Sequence, residues 1–249
     1  MPFQPIEPRR LYRQIADQLR ALIQSGEYPV GAKLPTERDL AASMGVSRPS
    51  VREALIALEV EGLVEVRIST GIFVMASEPV RRVEATHGPL EIIRARQLIE
   101  GELAAAAAQH SSPRLVAELE STLQAMAADI DRKRMPITGD REFHLCIAQA
   151  SENGALLDVV MQLFDERNGA MFQQFGSHFE QERSWRAALA EHRAVVAAIA
   201  AGDPLAARQA MSAHLQQSHD RFAVSWPSDG DVPDPAPVSA CCSPQGLIP

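Results

Sequence analysis

The sequence predicts a mainly α-helical protein with two domains, in which three helices and a β-hairpin precede an antiparallel all-helical bundle. Three observations support this fold class. Apolar residues recur at intervals of three and four along most of the chain. Alternation of apolar and polar residues is confined to "LVEVR" at 63–67 and the returning "IFVM" at 72–75. Residues 1–76 carry nine Lys/Arg and nine Asp/Glu, so the net charge of −8 lies entirely in the rest of the chain.

Composition limits the possible functions. A chain of 249 residues that is 46% hydrophobic can bury a sizeable core. Its net charge of −8 excludes a global positive field, so any site for a polyanion must be local. The sequence has no apolar run of about 18 residues and no signal-peptide pattern, and its three cysteines form no paired framework. We therefore expect a soluble cytoplasmic protein.

The N-terminal elements follow from their start and stop signals. The first helix is predicted over 9–24, where one face is apolar, and it ends in the Gly- and Pro-rich "SGEYPVGAKLP". Thr36 is a suitable N-cap for the second helix, and Gly45 can adopt the left-handed conformation that ends it. Ser47 can then cap a third helix over 48–59. Two helices therefore meet across a three-residue turn.

This arrangement is the outline of a helix-turn-helix, in which the N-terminal end of the second helix enters the major groove of DNA. Arginine suits that position because its planar fork can donate two hydrogen bonds to a guanine edge. Serines there can contact phosphates, as can the tip of the hairpin. The alternative, left equally open by the pattern, is a helical hairpin with solvated arginines. The candidate DNA contacts are Arg38, Ser47, Arg48, Ser50, Arg52, Thr70 and Gly71.

The rest of the chain is predicted to be helical between two irregular segments. We assign 1–76 to the first domain, 77–88 to a linker, 89–223 to the helical domain and 224–249 to a disordered tail rich in Pro, Ser, Gly and Asp. No convincing strand pattern occurs in the helical domain. Its predicted helices cover 90–110, 113–132, 137–150, 154–176, 181–201 and 204–222.

One aspartate and three histidines of the helical domain form a candidate metal site. Asp140 and His144 are four residues apart, so they share one helix face, and His192 and His214 lie on apolar stripes. A lone inward histidine is usually a core residue, but three buried imidazoles and a carboxylate would all be satisfied by one cation. These ligands suit a divalent ion, zinc foremost, with nickel or manganese as alternatives.

The first domain resembles a known family. "LPTERDLA", "GVSRPSVREAL" and "LEVEGLVEV", followed by "GIFV", are similar to the winged helix-turn-helix domain of the GntR family of bacterial transcription regulators, over residues 9–75. The resemblance implies that Arg38, Arg48 and Arg52 contact DNA, that Ser47 and Ser50 support these contacts, and that Gly71 lies in the wing. Family wings usually carry two glycines, and Ser69 stands where the first is expected. A stiffer or shifted wing is therefore predicted.

The second domain resembles the FCD ligand-binding domain of the FadR-type branch of that family, over residues 89–222. The likeness is carried by "PLEIIRARQLIEGELAAAAA", "GDREFHLCIAQASENGALL" and "EHRAVVAAIAAGDPLAARQAMSAHL". It implies that the aspartate and three histidines bind a divalent metal ion inside the bundle. It also implies that Arg96 points into an effector cavity, where its fork would bind a carboxylate. The alternative for Arg96 is a surface ion pair with Glu100.

Together these features predict a metabolite-responsive transcriptional regulator, a repressor that binds a palindromic operator as a homodimer. The expected effector is a carboxylate-bearing metabolite such as a sugar acid, since the first domain is most similar to that of regulators of hexuronate use. Two alternatives are a metal-dependent hydrolase and a dimerisation protein with a structural metal. Against the hydrolase, the nearest candidate bases, Glu142 and Glu191, are expected to point away from the metal ligands.

Overall fold

The computed structural model describes residues 10–67, 70–76, 87–167 and 169–223, most of them helical. The linker predicted over 77–88 and the tail predicted over 224–249 lie outside the described residues, except for His87 and Gly88, and so does Ser69 in the wing. No helix of the described residues is long and apolar enough to cross a membrane. The elements are α1 (Leu11–Gln24), α2 (Glu37–Met44), α3 (Arg48–Val60), β1 (Val64–Arg67), β2 (Gly71–Val74), α4 (Pro89–Gln109), α5 (Pro113–Asp131), α6 (Ile137–Ala150), α7 (Gly154–Arg167), α8 (Ala170–Phe179), α9 (Glu182–Ala200) and α10 (Pro204–Ala223).

The predicted caps of α2 and α3 are confirmed. The Thr36 hydroxyl accepts a hydrogen bond from the Asp39 amide at 3.2 Å, which begins α2. Gly45 ends that helix in the left-handed region with φ 65°. The Ser47 hydroxyl then accepts from the Ser50 amide at 3.3 Å and begins α3. The turn between the two helices is therefore fixed by local backbone chemistry.

The wing is an antiparallel hairpin, as predicted, in which Val64 pairs with Val74. The segment before α2 extends this hairpin, because Lys33 forms an isolated bridge with Phe73. Gly71 has φ 126°, and a β-carbon there would lie 2.3 Å from Cε of Lys33. The tip of the wing therefore requires glycine for its backbone conformation, and a side chain there would also displace the flexible end of Lys33.

The prediction of one helix over 154–176 is wrong. Two helices, α7 and α8, occupy this region, and Gly169 lies before α8 in an extended conformation that a continuous helix does not allow. The change of direction lets α8 pack against the first domain. Met171 joins the core around α1 and α3, and Phe172 and Phe175 pack with Ile56 of α3.

Apart from α8, the helices of the second domain form a bundle around one large core. α10 packs along α4 and α9, and α5 packs on α6 and α9. A separate apolar cluster lies at the junction of the two domains, where Ile56 meets Leu90, Ile93, Phe175 and Phe222. The two domains therefore share buried surface in addition to their covalent connection.

A side chain of the first domain begins the first helix of the second. Gly88, the N-cap of α4, has no side chain with which to accept a hydrogen bond. Glu53 of α3 takes this role, since its Oε1 accepts from the Leu90 amide at 3.0 Å. A β-carbon on Gly88 would lie 2.5 Å from that oxygen. The close approach of the Glu53 carboxylate therefore depends on glycine at this position.

Candidate functional site

The four predicted metal ligands converge inside the bundle. Asp140 and His144 lie on α6, His192 on α9 and His214 on α10, and one ligand atom from each lies within 4.8 Å of the others. The Nε2 atoms of His144 and His192 are 3.3 Å apart, and Oδ1 of Asp140 is 3.8 Å and 3.5 Å from them. The three imidazoles are 1–4% exposed. The ligand atoms of these four side chains therefore face one small, buried volume.

Carboxylates on neighbouring helices orient two of these imidazoles. Nδ1 of His214 donates to Oε2 of Glu191 at 2.8 Å, and Nδ1 of His144 pairs with the Glu100 carboxylate. A carboxylate on Nδ1 favours the tautomer that leaves the Nε2 lone pair free for a metal. Neither Nδ1 of His192 nor Nδ1 of His144 makes a hydrogen bond of ordinary geometry among the described residues, so the contact of His144 with Glu100 is an ion-pair contact. The His214 ring is therefore held by a hydrogen bond with Nε2 toward the shared volume, and the Glu100 carboxylate favours the same orientation of His144.

The electrostatics of the cluster also match a metal site. Burial by itself raises the pKa of Asp140, but its ion pair with Arg167 and the nearby imidazoles outweigh burial and hold the pKa well below its usual value. Burial lowers the pKa of His192 and of His214, in the second case against the opposing effect of Glu191. The Asp140 carboxylate is therefore held in its ionised form, and burial favours the neutral imidazoles of His192 and His214, which are the forms that bind metal ions.

These observations test whether a divalent ion fits the cluster. One carboxylate oxygen and three imidazole nitrogens are a common donor set for zinc, nickel or manganese. The opposed Nε2 atoms can share at most one proton, and a cation among them would satisfy all their lone pairs. The residues present therefore fit a divalent ion.

Arg96 lines the cavity beside the cluster, together with Arg167 and Arg221. The ion pair with Glu100 exists, but it is buried and not a surface pair: the two side chains are 3% and 2% exposed, and Nε of Arg96 donates to Oε1 at 2.6 Å. Burial raises the pKa of Glu100, yet Arg96 and His144 together lower it to about 2. The same carboxylate therefore joins the predicted effector residue to a predicted metal ligand.

Sequence reasoning missed the residues that support the cluster. Glu191 was expected to point away from the metal ligands, but it contacts His214 of the next helix. Arg167 ends the helix that follows the one carrying Asp140, and Glu100 lies on α4, two helices before the one carrying His144. The only local signal was the spacing of four between Arg96 and Glu100. Identifying the other partners requires the order in which the helices pack.

Most of the predicted DNA contacts are at least partly exposed. Arg38 of α2 is largely exposed, and Arg48 of α3 is half-exposed while its Nε donates to Oε1 of Glu37 at 3.1 Å. The hydroxyls of Ser47 and Ser50 lie 2.8 Å apart beside Arg48. Thr70 is exposed in the wing, next to the partly buried Gly71. We call this set the reading end; it consists of Arg38, Ser47, Arg48, Ser50, Thr70 and Gly71.

Arg52 departs from the prediction. Its side chain is 0% exposed, and two of its nitrogens donate to both oxygens of Glu37 at 2.8–3.0 Å. A third nitrogen, Nη1, donates to the backbone carbonyl of Phe222 in α10. The structure thus corrects the expectation that Arg52 lies on the DNA-facing surface. Its guanidinium is buried between Glu37 of the first domain and Phe222 of the second.

Comparison with known families accounts for both halves of the chain. Residues 11–74 match the bacterial regulatory proteins of the gntR family, and residues 91–217 match the FCD domain. The chain belongs to the GntR family. This regulator has the FCD type of helical domain, as its sequence motifs implied, and the winged helix-turn-helix at its N-terminus is the DNA-binding part.

Full-length relatives support the same assignment. The GntR-family chain is 34% identical over 232 residues to the Uxu operon regulator of Haemophilus influenzae, covering 91% of this chain and 85% of the relative. It is 36% identical over 223 residues to the Exu regulon transcriptional regulator of Escherichia coli K12, covering 85% and 84%. The solved structure of E. coli McbR/YncC has the same fold, with a TM-score of 0.50 and 23% identity over 86% of this chain and 97% of that one. The family is one of metabolite-responsive transcriptional regulators, so the hydrolase alternative is wrong.

Proposed function

We propose that this regulator is a cytoplasmic repressor that binds a palindromic operator as a homodimer and releases it when a sugar acid enters the cavity beside a divalent metal ion. The observation that carries the proposal is the convergence of Asp140, His144, His192 and His214 beside Arg96. A guanidinium binds a carboxylate through two hydrogen bonds, and the metal ion would supply a Lewis-acidic position for a further oxygen of the effector.

The chemistry of the cavity favours an anionic, oxygen-rich effector. Arg96, Arg167 and Arg221 line it, yet each is already paired with a carboxylate of the chain. A neutral ligand would gain little there, whereas a carboxylate can share a guanidinium and a cation. Identity of 34% and 36% to the Uxu and Exu regulators supports a sugar acid as this carboxylate.

The reading end supports operator binding. Arg38 of α2 and Arg48 of α3 are exposed, Ser47 and Ser50 flank Arg48 in the sequence, and Thr70 is exposed in the wing. A two-fold dimer would place two such ends on half-sites about one turn of DNA apart. We propose that Arg48 contacts a base edge and that the other side chains contact phosphates.

One titration tests the regulatory part of this proposal. A duplex is selected by the protein from a random-sequence library, and its affinity is measured with the zinc-loaded protein with and without galacturonate or glucuronate. We expect either sugar acid to weaken binding at least about fivefold, the lower end of ordinary allosteric couplings. Galactose and glucose, which lack the carboxylate, are the matched controls. Equal affinity with and without the acids would leave the metal ion a structural role only.

Two substitutions separate the DNA and effector roles. Arg48→Ala should remove about 1–3 kcal/mol of preference for the selected duplex over a scrambled one, because a bidentate base contact is lost. Arg96→Lys keeps the charge that Glu100 requires but lacks the planar fork, so it should bind the operator normally and lose its response to the acid. Unchanged preference in the first variant, or an unchanged response in the second, would contradict the assigned role.

A further inference from the structure

Arg52 is held by contacts that exclude a contact with DNA. Its buried guanidinium donates to both oxygens of Glu37 and to the Phe222 carbonyl, and it lies 5.3 Å from the centroid of the Phe179 ring. Burying a guanidinium is unfavourable unless it is neutralised and hydrogen-bonded, and these partners meet both conditions. Arg52 lies one turn beyond Arg48 on the same face of α3, so uncovering it would place a second arginine beside the exposed one.

The Phe222 carbonyl belongs to the last turn of α10. The final carbonyls of a helix have no partner within the helix, and a cation there is favoured by the helix dipole. Arg52 therefore caps α10 from the other domain. The ring of Phe222 packs edge-on against Phe172 and Phe175 of α8, which anchors the turn at the domain junction.

The same turn is tied to the metal cluster. Glu191 of α9 accepts from Nδ1 of His214 through Oε2 at 2.8 Å, and its Oε1 accepts from Arg221 at 2.8 Å. Arg221 directly precedes Phe222 and also lines the cavity. A continuous series of contacts therefore runs from a metal ligand through Glu191 and Arg221 to the carbonyl that holds Arg52.

We propose that Arg52 is a DNA-binding arginine that the helical domain withholds, and that the Glu191–Arg221 pair transmits the state of the cavity to the turn that withholds it. The inference rests on the proposed function. When the cavity is filled, His214 and Glu191 are fixed, the last turn of α10 is ordered and Arg52 stays on its carbonyl. On the operator, Arg52 leaves Phe222 for the DNA, and the last turn of α10 loses its cap.

Amide hydrogen exchange of the full chain tests the withheld contact. Exchange of residues 219–223 is followed in the zinc-loaded protein, free and saturated with the selected duplex. We expect the duplex to speed exchange of this segment at least about fivefold, because an uncapped turn frays. Unchanged exchange with the duplex bound would mean that Arg52 remains on Phe222, which overturns this proposal alone. Failure to select any duplex would overturn the proposed function as well.

A pair of matched variants tests the transmission. Arg221→Gln removes the pair with Glu191, and Arg208→Gln removes an exposed pair with Glu102 on the same helix. We expect the first variant to speed exchange of residues 219–223 and to raise operator affinity, each at least about fivefold, and the second to change neither. Faster exchange without a gain in operator affinity would show a purely structural turn and overturn the proposal, as would identical behaviour of the two variants.

Discussion

Burial affects the predicted residues of the candidate metal cluster and of the reading end differently. In the cluster, burial gathers every predicted ligand into one volume, with Asp140 and three histidines around it. At the reading end, burial divides the predicted set: Arg38 and Arg48 stay at the surface, and Arg52 is enclosed. Ligands that point into a core are positioned by helix periodicity, whereas surface residues depend on what covers them. The helical domain covers α3 on the side that an isolated first domain would expose.

The largest expected effect is in the cluster. His192→Ala removes one of four ligands and should weaken zinc binding roughly 70- to 900-fold, since one quarter of the roughly 10–16 kcal/mol typical of structural zinc sites is about 2.5–4 kcal/mol. Competition titration with a chelating dye measures it. His110→Ala, an exposed histidine at the end of α4, is the control and should bind zinc as the wild type does. Equal affinity of the two variants would remove His192 from the site.

Glu53, which follows Arg52 in α3, is a buried carboxylate whose ionisation makes the stability of the domain junction depend on pH. Burial raises the pKa of Glu53 to about 7 from its ordinary 4.5, although the Leu90 amide partly opposes the shift. The folded state then binds the proton more tightly, so this group stabilises the fold below pH 4.5 and loses that contribution as pH rises through about 7. The loss amounts to at most about 3 kcal/mol.

Glu53→Gln tests this pH dependence, because an amide cannot ionise but its oxygen can still accept from the Leu90 amide. Urea unfolding of both proteins at several pH values gives the difference in unfolding free energy. We expect the unfolding free energy of the variant to rise relative to that of the wild type between pH 4.5 and 7, and the difference to stay constant above that range. A constant difference across this range would mean that folding does not raise the pKa of Glu53.

A second test of the cluster concerns a residue that only orients a ligand. Glu100→Gln leaves all four ligands in place but weakens the hold on Nδ1 of His144, and changes of this kind typically cost 10- to 100-fold in metal affinity, or about 1.4–2.7 kcal/mol. The same competition titration applies. Glu102→Gln, an exposed change two residues along α4, should have no effect. A normal affinity for Glu100→Gln would restrict that carboxylate to its pair with Arg96.

The smallest expected effect concerns the exposed part of the reading end. Arg38→Ala should weaken binding to selected and scrambled duplexes alike and lower the slope of log affinity against log salt by about one, as expected for one lost phosphate contact. Arg114→Ala, a similarly exposed arginine of α5, is the control. An unchanged slope for Arg38→Ala would place this side chain away from the phosphates.

The sequence predicted most of the helices, the hairpin and the convergence of Asp140 with three histidines, because each has a local signal in spacing, capping or alternation. The break between α7 and α8 was missed, although Gly169 marked it, because the apolar pattern continues on both sides. The partners of the ligands depend on how neighbouring helices pack, and the enclosure of Arg52 depends on a helix far away in sequence. Arg52 and Phe222 are 170 residues apart, and no local pattern reports such a contact.

The contact between Glu53 and the start of α4 limits how freely the two halves of this protein can be exchanged. A carboxylate of one half completes the first turn of the other, and it reaches that turn only because Gly88 has no side chain. A chimera that grafts this reading half onto another sensor is therefore expected to need glycine at the junction as well as a suitable linker. The two halves are therefore not independent modules, because a hydrogen bond from one half determines where the first helix of the other begins.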